Sequence, residues 1–333
     1  MTGKPRQLLI TLLLIASVAA SARAEKIRTS IPGANLNYLS VYSAEERHFF
    51  RDEGLENETI AIGGPAGIAA LVSGDVDFSG AGGSGLRGAV RGAPLKAIFY
   101  QTEKPTWYLV VHPSITQGAD LKGKKIGVAL LGDSEDRFIT LYAERAGVAA
   151  KDLTRLSLGT SISDKILGVK TGAVSAVVLD PAGTVAAERE GLRKLVFMGD
   201  IFTLPFQGYV ATHQKLAENP AQVKRWIRAM TRSLLFVRDR PEDAADIALR
   251  RLRIKNITKP MLVEAIRSYT RAFPPGVPGV PSAEGVKSIL ENELRIPLKL
   301  DKPLAAENFF DLRWAEEVRK ELSAKGATVE TSR

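Results

Sequence analysis

Cysteine is absent from this 333-residue chain, and histidine occurs only three times, at His48, His112 and His213. Without cysteine no disulfide can staple the fold, no thiolate can attack a substrate, and no Cys–His set can hold zinc. The three histidines are far apart in sequence and show no metal-ligand spacing. Neither a metal nor a cofactor is expected. The nucleophile elbow Gly-x-Ser-x-Gly is missing, since Gly82-Gly83-Ser84-Gly85 does not match it. The glycine-rich stretch Ser79 to Gly85 also lacks the Lys-Ser/Thr ending of a nucleotide-binding loop. Asp75 and Asp77 flank a turn and read as solvated turn residues rather than a catalytic pair. Nothing in the residues calls for an enzyme.

Charge of one sign is not concentrated anywhere. The formal net charge is +9, but Lys and Arg are mixed with Asp and Glu along helical stretches. No basic run is interleaved with aromatics, which argues against nucleic acid as a partner. Three of the cations, Lys4, Arg6 and Arg23, belong to a leader. Behind its positive start comes the apolar run Leu8 to Ala20, shorter than the roughly 20 residues that span a bilayer. Ala22-Arg23-Ala24 then supplies the small-x-small pattern of a cleavable secretory signal. Residues 1–24 are therefore expected to be removed, leaving 309 of the 333 residues and a net charge of +6. A lipid anchor would need a cysteine after the signal, so a soluble monomer in the periplasm is expected.

What is there is a repeat. Lys26-Ile27 and Lys125-Ile126 open β-like runs. Helical patterns follow at Leu39 to Arg51 and at Glu135 to Ala146, each ending at a glycine, Gly54 and Gly147. Second β-like runs end at Gly63 and Gly159. The turns at Gly74 and Gly172 each lead from a helix into a strand, and Gly92 to Phe99 matches Gly191 to Phe197. The opening lysines, the strand-ending glycines, the turn glycines and the pair Gly92 and Gly191 keep one offset of 96 to 99 residues. Alternating strands and helices predict a parallel sheet with helices on both faces, and two copies predict two such lobes. Helices follow at Ala221 to Arg238, Glu242 to Leu252, Lys259 to Ala272 and Leu312 to Lys325. The proline-rich stretch Pro274 to Pro281 reads as a loop. Trp226 and Trp314 read as core.

In open α/β sheets a ligand lies beyond the carboxyl ends of the strands, where helix N-termini collect unpaired N–H groups. Six strand-end loops qualify: 31–40, 63–67, 79–85, 130–136, 159–164 and 180–184. The candidate solute contacts in them are Asn35, Asn37, Tyr38, Gly64, Pro65, Ser84, Gly132, Ser134, Thr160, Ser161 and Asp180. Helix capping is an equally good reading of the Ser, Thr and Asp residues.

Residues Gly64 to Phe78, Gly92-Ala93-Pro94-Leu95-Lys96 and Ala119 to Val128, with its Asp120-Leu121-Lys122-Gly123-Lys124 entry, resemble the substrate-binding proteins of ABC importers. The resemblance is to the nitrate, alkanesulfonate and taurine type, which shares its fold with thiamine-pyrimidine precursor proteins. It runs from about Lys26 to Gln214. It implies an α/β, type II periplasmic binding fold, with two doubly wound lobes joined by a two-strand hinge. The hinge would be Thr106 to His112 and Leu204 to Ala211. Lobe 1 would comprise 25–106 and 208–333, with the C-terminal helices packed on it, and lobe 2 would comprise 107–207. The implied function is delivery of a small, anionic solute (a sulfonate, nitrate, carboxylate or heterocycle) to an inner-membrane permease. A ligand-sensing receptor subunit and an enzyme of pyrimidine or vitamin-precursor synthesis are the alternatives. The resemblance gives that enzyme branch a cysteine-rich segment, which this chain lacks. Mature protein from its native host is expected to begin at Glu25, and N-terminal sequencing checks this.

Overall fold

A computed structural model describes residues 24–252, 254, 257–324 and 326, so the secretory leader expected over residues 1–24 lies almost entirely outside the described residues. Among the described residues ten strands form two five-stranded sheets. The first half contributes β1 (Glu25–Ile31), β2 (Leu55–Ala61), β3 (Phe78–Ser79) and β4 (Leu95–Thr102). The second contributes β5 (Tyr108–Val111), β6 (Lys125–Val128), β7 (Thr154–Ser157), β8 (Ala176–Leu179) and β9 (Arg193–Phe197), and β10 (Phe206–Thr212) follows.

The sheet orders are β2-β1-β3-β10-β4 and β7-β6-β8-β5-β9. The two are the same pattern, with β1, β2, β3 and β4 answered by β6, β7, β8 and β9. The expectation of wholly parallel sheets needs correction. β5 runs antiparallel between β8 and β9, and β10 runs antiparallel between β3 and β4. Each is the strand that the chain lays down just after crossing between lobes, so it enters the next sheet against the direction of its neighbours. The residues that cross are the irregular stretch 103–107 and the stretch 198–205, which opens with the short helix Met198–Ile201. Thr106 Oγ1 donates to Asn37 Oδ1 (2.7 Å) and accepts from Gln207 Nε2 (2.9 Å), tying both crossings together with buried hydrogen bonds. Trp107 packs against Phe206 and Phe138 at ring distances of 4.2 and 5.6 Å.

Burial follows strand position. Central β5 and β8 read Tyr-Leu-Val-Val and Ala-Val-Val-Leu and are buried throughout, whereas edge strands β2 and β7 carry the polar sequences Leu-Glu-Asn-Glu-Thr-Ile-Ala and Thr-Arg-Leu-Ser. The helix expected from Leu39 to Arg51 is two helices, Leu39–Glu46 and Phe49–Asp52. His48 adopts a left-handed conformation (φ 60°) between them, and the restart turns Phe49 and Phe50 into the core.

After β10 the chain is helical. The helix Pro220–Asp239 carries an apolar stripe, Val223, Trp226, Ile227, Met230 and Leu234, that covers the first sheet. It also packs against the helices Leu39–Glu46 and Arg313–Ala324. The helix Lys259–Thr270 reaches beyond the first lobe, on which the C-terminal helices are expected to pack. It packs on the helix Pro181–Arg189 of the second lobe, and Ser268 Oγ meets Tyr108 Oη at 2.5 Å. The sequence gives no sign of the helix Ala283–Ser288 or the π-helical turn Ile289–Arg295, nor of the short helices Met198–Ile201 and His213–Glu218. The stretch 274–281 is irregular, but Tyr100 N–H donates to Gly279 O (3.1 Å), which attaches it to β4.

Trp226 is fully buried. Its ring stacks on Phe78 (4.5 Å), meets Tyr209 (5.0 Å) and Phe99 (5.9 Å) edge-on, and donates Nε1–H to Thr29 Oγ1 at 3.1 Å. Truncation would leave a large cavity and remove one of the two partners of the buried Thr29 hydroxyl, which still donates to Asn57 Oδ1 (2.6 Å). Trp226→Ala is expected to cost about 3–5 kcal/mol of unfolding free energy, measured by urea denaturation.

Candidate functional site

The strand-end loops of the two lobes meet. Leu36 N–H of the first lobe donates to Asp180 Oδ2 of the second at 2.8 Å. A Cβ placed on Gly33 would lie 3.4 Å from the Thr160 side chain. One placed on Gly83 would lie 3.1 Å from Ser134 Oγ. Within the first lobe, a Cβ on Gly64 would come 2.9 Å from Ser84 Oγ. Gly64, Ser84, Ser134, Thr160 and Asp180, expected from sequence to line a cleft, are therefore drawn to one interlobe seam.

The other candidates sit as follows. Asn35 caps the short turn Leu36–Tyr38 by accepting from Asn37 N–H (3.1 Å). The Asn37 side chain is buried in the hinge network already described. Tyr38 is buried and donates to Gly80 O (3.1 Å), and burial raises its phenol well above the ordinary range. Pro65 stands in the first turn of the helix Gly64–Ser73 and is exposed. Gly132 takes a left-handed φ of 81° and donates its N–H to Asp136 Oδ2 (2.7 Å). Ser161 is exposed and caps the helix Ile162–Lys170 through Asp164 N–H (3.3 Å). The glycines of 79–85 have mainly a packing cause. A Cβ on Gly82 would fall 2.5 Å from Gly208 O on β10, so this helix start can lie against the sheet only without one.

The lobes differ in how their helices begin. In the second lobe all three starts are closed by a side chain: Asp133 accepts from Asp136 N–H (3.0 Å), Ser161 from Asp164 N–H, and Asp180 from Gly183 N–H (2.7 Å). In the first lobe, Gly64–Ser73 and Gly82–Val90 follow Gly63 and Ala81 and have no side-chain cap. Their first N–H groups, at the positive ends of two helix dipoles, remain available to an acceptor from outside the chain.

Charges make the seam sharper, and these residues were not picked out from sequence. Beneath the second-lobe loops, buried Lys165 donates to Glu135 Oε2 (2.6 Å) and to Val178 O (3.1 Å). Glu135 also accepts from Ala129 N–H (2.8 Å), which fixes the loop after β6. Beside the first lobe stand Arg87, which donates to Ser84 Oγ (3.3 Å), and Arg137, which donates to Asn292 O (3.3 Å). Glu293 Oε2 lies 4.0 Å from Arg87 Nη1, and no periodicity marks it because it sits in the π-helical turn. Its neighbour-to-be could be foreseen only as a cation three residues after Ser84, at one turn's spacing.

Among the described residues no group of three or more His, Cys, Asp or Glu side chains could hold a metal ion, and no helix is long and apolar enough to cross a membrane. A surface concavity of about 380 Å³ is walled by Glu242, Lys259, Pro260, Val263, Glu264 and Arg267. None of these residues belongs to a strand-end loop, and an Arg267–Glu242 ion pair (2.8 Å) spans it.

Two mixed α/β lobes of matching strand order, exchanging antiparallel strands across a double crossing, define the type II periplasmic-binding-protein fold. The chain belongs to the NMT1/THI5-like family, whose match covers residues 35–244. Similar solved structures include the periplasmic aliphatic sulphonate binding protein SsuA of Escherichia coli. It is 19% identical, with a TM-score of 0.68 over 86% of this chain and 92% of that one. The periplasmic nitrate-binding protein NrtA of Synechocystis PCC 6803 is 13% identical, with a TM-score of 0.70 over 93% and 92%. Among curated relatives, a binding protein of Brucella abortus (strain 2308) is 27% identical over 215 residues, 63% of this chain and 66% of that protein, so just under two thirds of its length is matched. The 4-amino-5-hydroxymethyl-2-methylpyrimidine phosphate synthase of Candida albicans (strain WO-1) is 25% identical over 230 residues, 62% and 65% of the two chains.

Burial pushes the Asp133 carboxyl up to about 7, and the nearby Glu135 charge pushes the same way. The folded state thus holds this proton over a range where the unfolded chain has lost it. The stabilisation is complete below the ordinary carboxylate range and is lost as pH rises through about 7. Asp133→Asn keeps a capping oxygen without the titration. Its thermal midpoint is expected to fall less steeply than wild type between about pH 4 and 7. Asp180 and Glu293, raised by burial in the same direction, supply the slope that remains.

Proposed function

We propose that this chain is the solute-binding component of an ABC importer, acting in the periplasm as a monomer and presenting a small anionic solute to a membrane permease. The observation that carries this is the seam itself. Loops from the carboxyl ends of both sheets converge there, with two uncapped helix starts and Arg87 on the first-lobe side and hydroxyls of Ser134, Thr160 and Ser161 on the second. Uncapped N–H groups and guanidiniums are donors that a sulfonate, carboxylate or nitrate accepts from in several directions. Two lobes linked by only two short crossings can hinge, and closing excludes water from such contacts. The binding-protein relatives support the same reading, with the solute and the transporter left as the proposal.

The Candida synthase relative favours a second reading, an enzyme on the same fold. Chemical turnover of a bound candidate would establish it.

The test is a thermal-shift screen of purified mature protein against small anions and heterocycles. A true solute at 100 times its Kd should stabilise the fold by about 2.7 kcal/mol, a shift of a few degrees. Ser134→Trp, which fills the seam opposite Gly83, is expected to abolish that shift while leaving the ligand-free midpoint within about 2 °C of wild type. A solute whose shift survives in Ser134→Trp would place binding elsewhere.

A further inference from the structure

One corner of the seam holds a charge pair that is incompletely made. Glu293 comes from the π-helical turn Ile289–Arg295 of the C-terminal segment, Arg87 from the first lobe and Arg137 from the second. Glu293 and Arg87 sit around Gly83, and Arg137 is held to the same turn by its bond to Asn292 O (3.3 Å), next to Glu293 in the chain. A Cβ on Gly83 would lie 3.1 Å from Glu293 Oε2, 3.1 Å from Ser134 Oγ and 3.3 Å from Arg87 Nη1.

Glu293 is only 7% exposed, yet its closest cation contact is Arg87 Nη1 at 4.0 Å. Its Oε1 is buried with no hydrogen-bond partner, and so is Nε of Arg137. A buried carboxylate normally gathers donors on both oxygens, and leaving one bare costs free energy. Here donors stand close by and are not used. Glu293 reaches the corner because seven residues wind as a π-turn, an irregularity that proteins keep at sites of function.

We infer that Glu293 is a built-in stand-in for the solute's oxyanion. Its carboxylate neutralises Arg87 and Arg137 while the cleft is empty, and an incoming oxyanion takes its place beside Gly83 and Ser134. The inference rests on the seam being the solute site, and it adds a residue that opposes binding. Two guanidiniums, Ser84 and Ser134 hydroxyls and the uncapped start of Gly82–Val90 then surround the solute's charged end. The chemistry recognised is an oxyanion with at least two accepting oxygens, whatever the rest of the solute is. The looseness of the Glu293 contacts is what makes exchange feasible, since a tightly paired carboxylate would block the site permanently.

The experiment is calorimetric titration of mature wild-type protein, Glu293→Gln and Arg87→Met with inorganic sulfate at low ionic strength. Removing the competing charge should tighten sulfate binding about tenfold in Glu293→Gln, while Arg87→Met should weaken it by at least as much. Glu293→Asp, which keeps the charge, should stay near wild type. Unchanged or weaker sulfate binding in folded Glu293→Gln overturns the inference. Crystals of the wild-type protein soaked in sulfate provide a second measurement that needs no variant. Sulfate beside Gly83 with the Glu293 side chain displaced supports the inference, and its absence from that corner overturns it. A solute found in the thermal-shift screen and blocked by Ser134→Trp would keep the import reading standing even if sulfate fails both tests.

Discussion

Everything at the seam depends on the chain crossing between lobes twice and burying the strand laid after each crossing inside the next sheet. β5 is hydrogen-bonded on both edges by second-lobe strands, and β10 on both edges by first-lobe strands. Neither can be withdrawn without breaking a sheet. The lobes are therefore inseparable, yet the chain passes between their sheets in just the stretches 103–107 and 198–205 of the described residues. The buried bonds among Thr106, Asn37 and Gln207 hold these stretches together, so the two sheets present the carboxyl ends of their parallel strands to the same gap. A gap between two bodies on a short double link is a place that can open and close.

The two faces of that gap are chemically unequal. The second lobe closes its helix starts with its own side chains, and it sets Lys165 against Glu135 under the loops, a buried pair that is costly to break and so holds the loop after β6 in place. That face is prearranged and largely self-satisfied. The first lobe leaves two helix starts without side-chain caps and puts Arg87 near them. Donors on one face and hydroxyls on the other suit a guest that accepts many hydrogen bonds and carries negative charge. The C-terminal segment completes the arrangement by reaching both lobes, through Glu293 near Arg87 and Asn292 on Arg137.

Much of this was legible in the chain. Periodic apolar residues and glycine punctuation marked the helices and strands, and the 96- to 99-residue offset of the landmarks marked two lobes of one design. Carboxyl-end loops follow from that topology, which is why the sequence alone points to Gly64, Ser84, Ser134, Thr160 and Asp180. The break at His48 was not legible, because nothing in Arg47-His48-Phe49 forbids a continuing helix. It is settled by where Phe49 and Phe50 can be buried. Asn37 and Tyr38 were singled out for polar groups that turn inward, toward Thr106 and Gly80.

The sequence by itself determined the class of architecture, the loops that follow the parallel strands and the absence of thiol chemistry, because local periodicity and composition depend on neighbours within a few residues. Only the tertiary structure decided the antiparallel direction of β5 and β10, the packing of Lys259–Thr270 across both lobes, and the meeting of Arg87, Glu293 and Ser134 around one glycine. Arg87 and Glu293 are about two hundred positions apart and sit in patterns that look like ordinary solvated helix. The desolvation that gives their charges meaning arises only once the lobes and the C-terminal segment close around them.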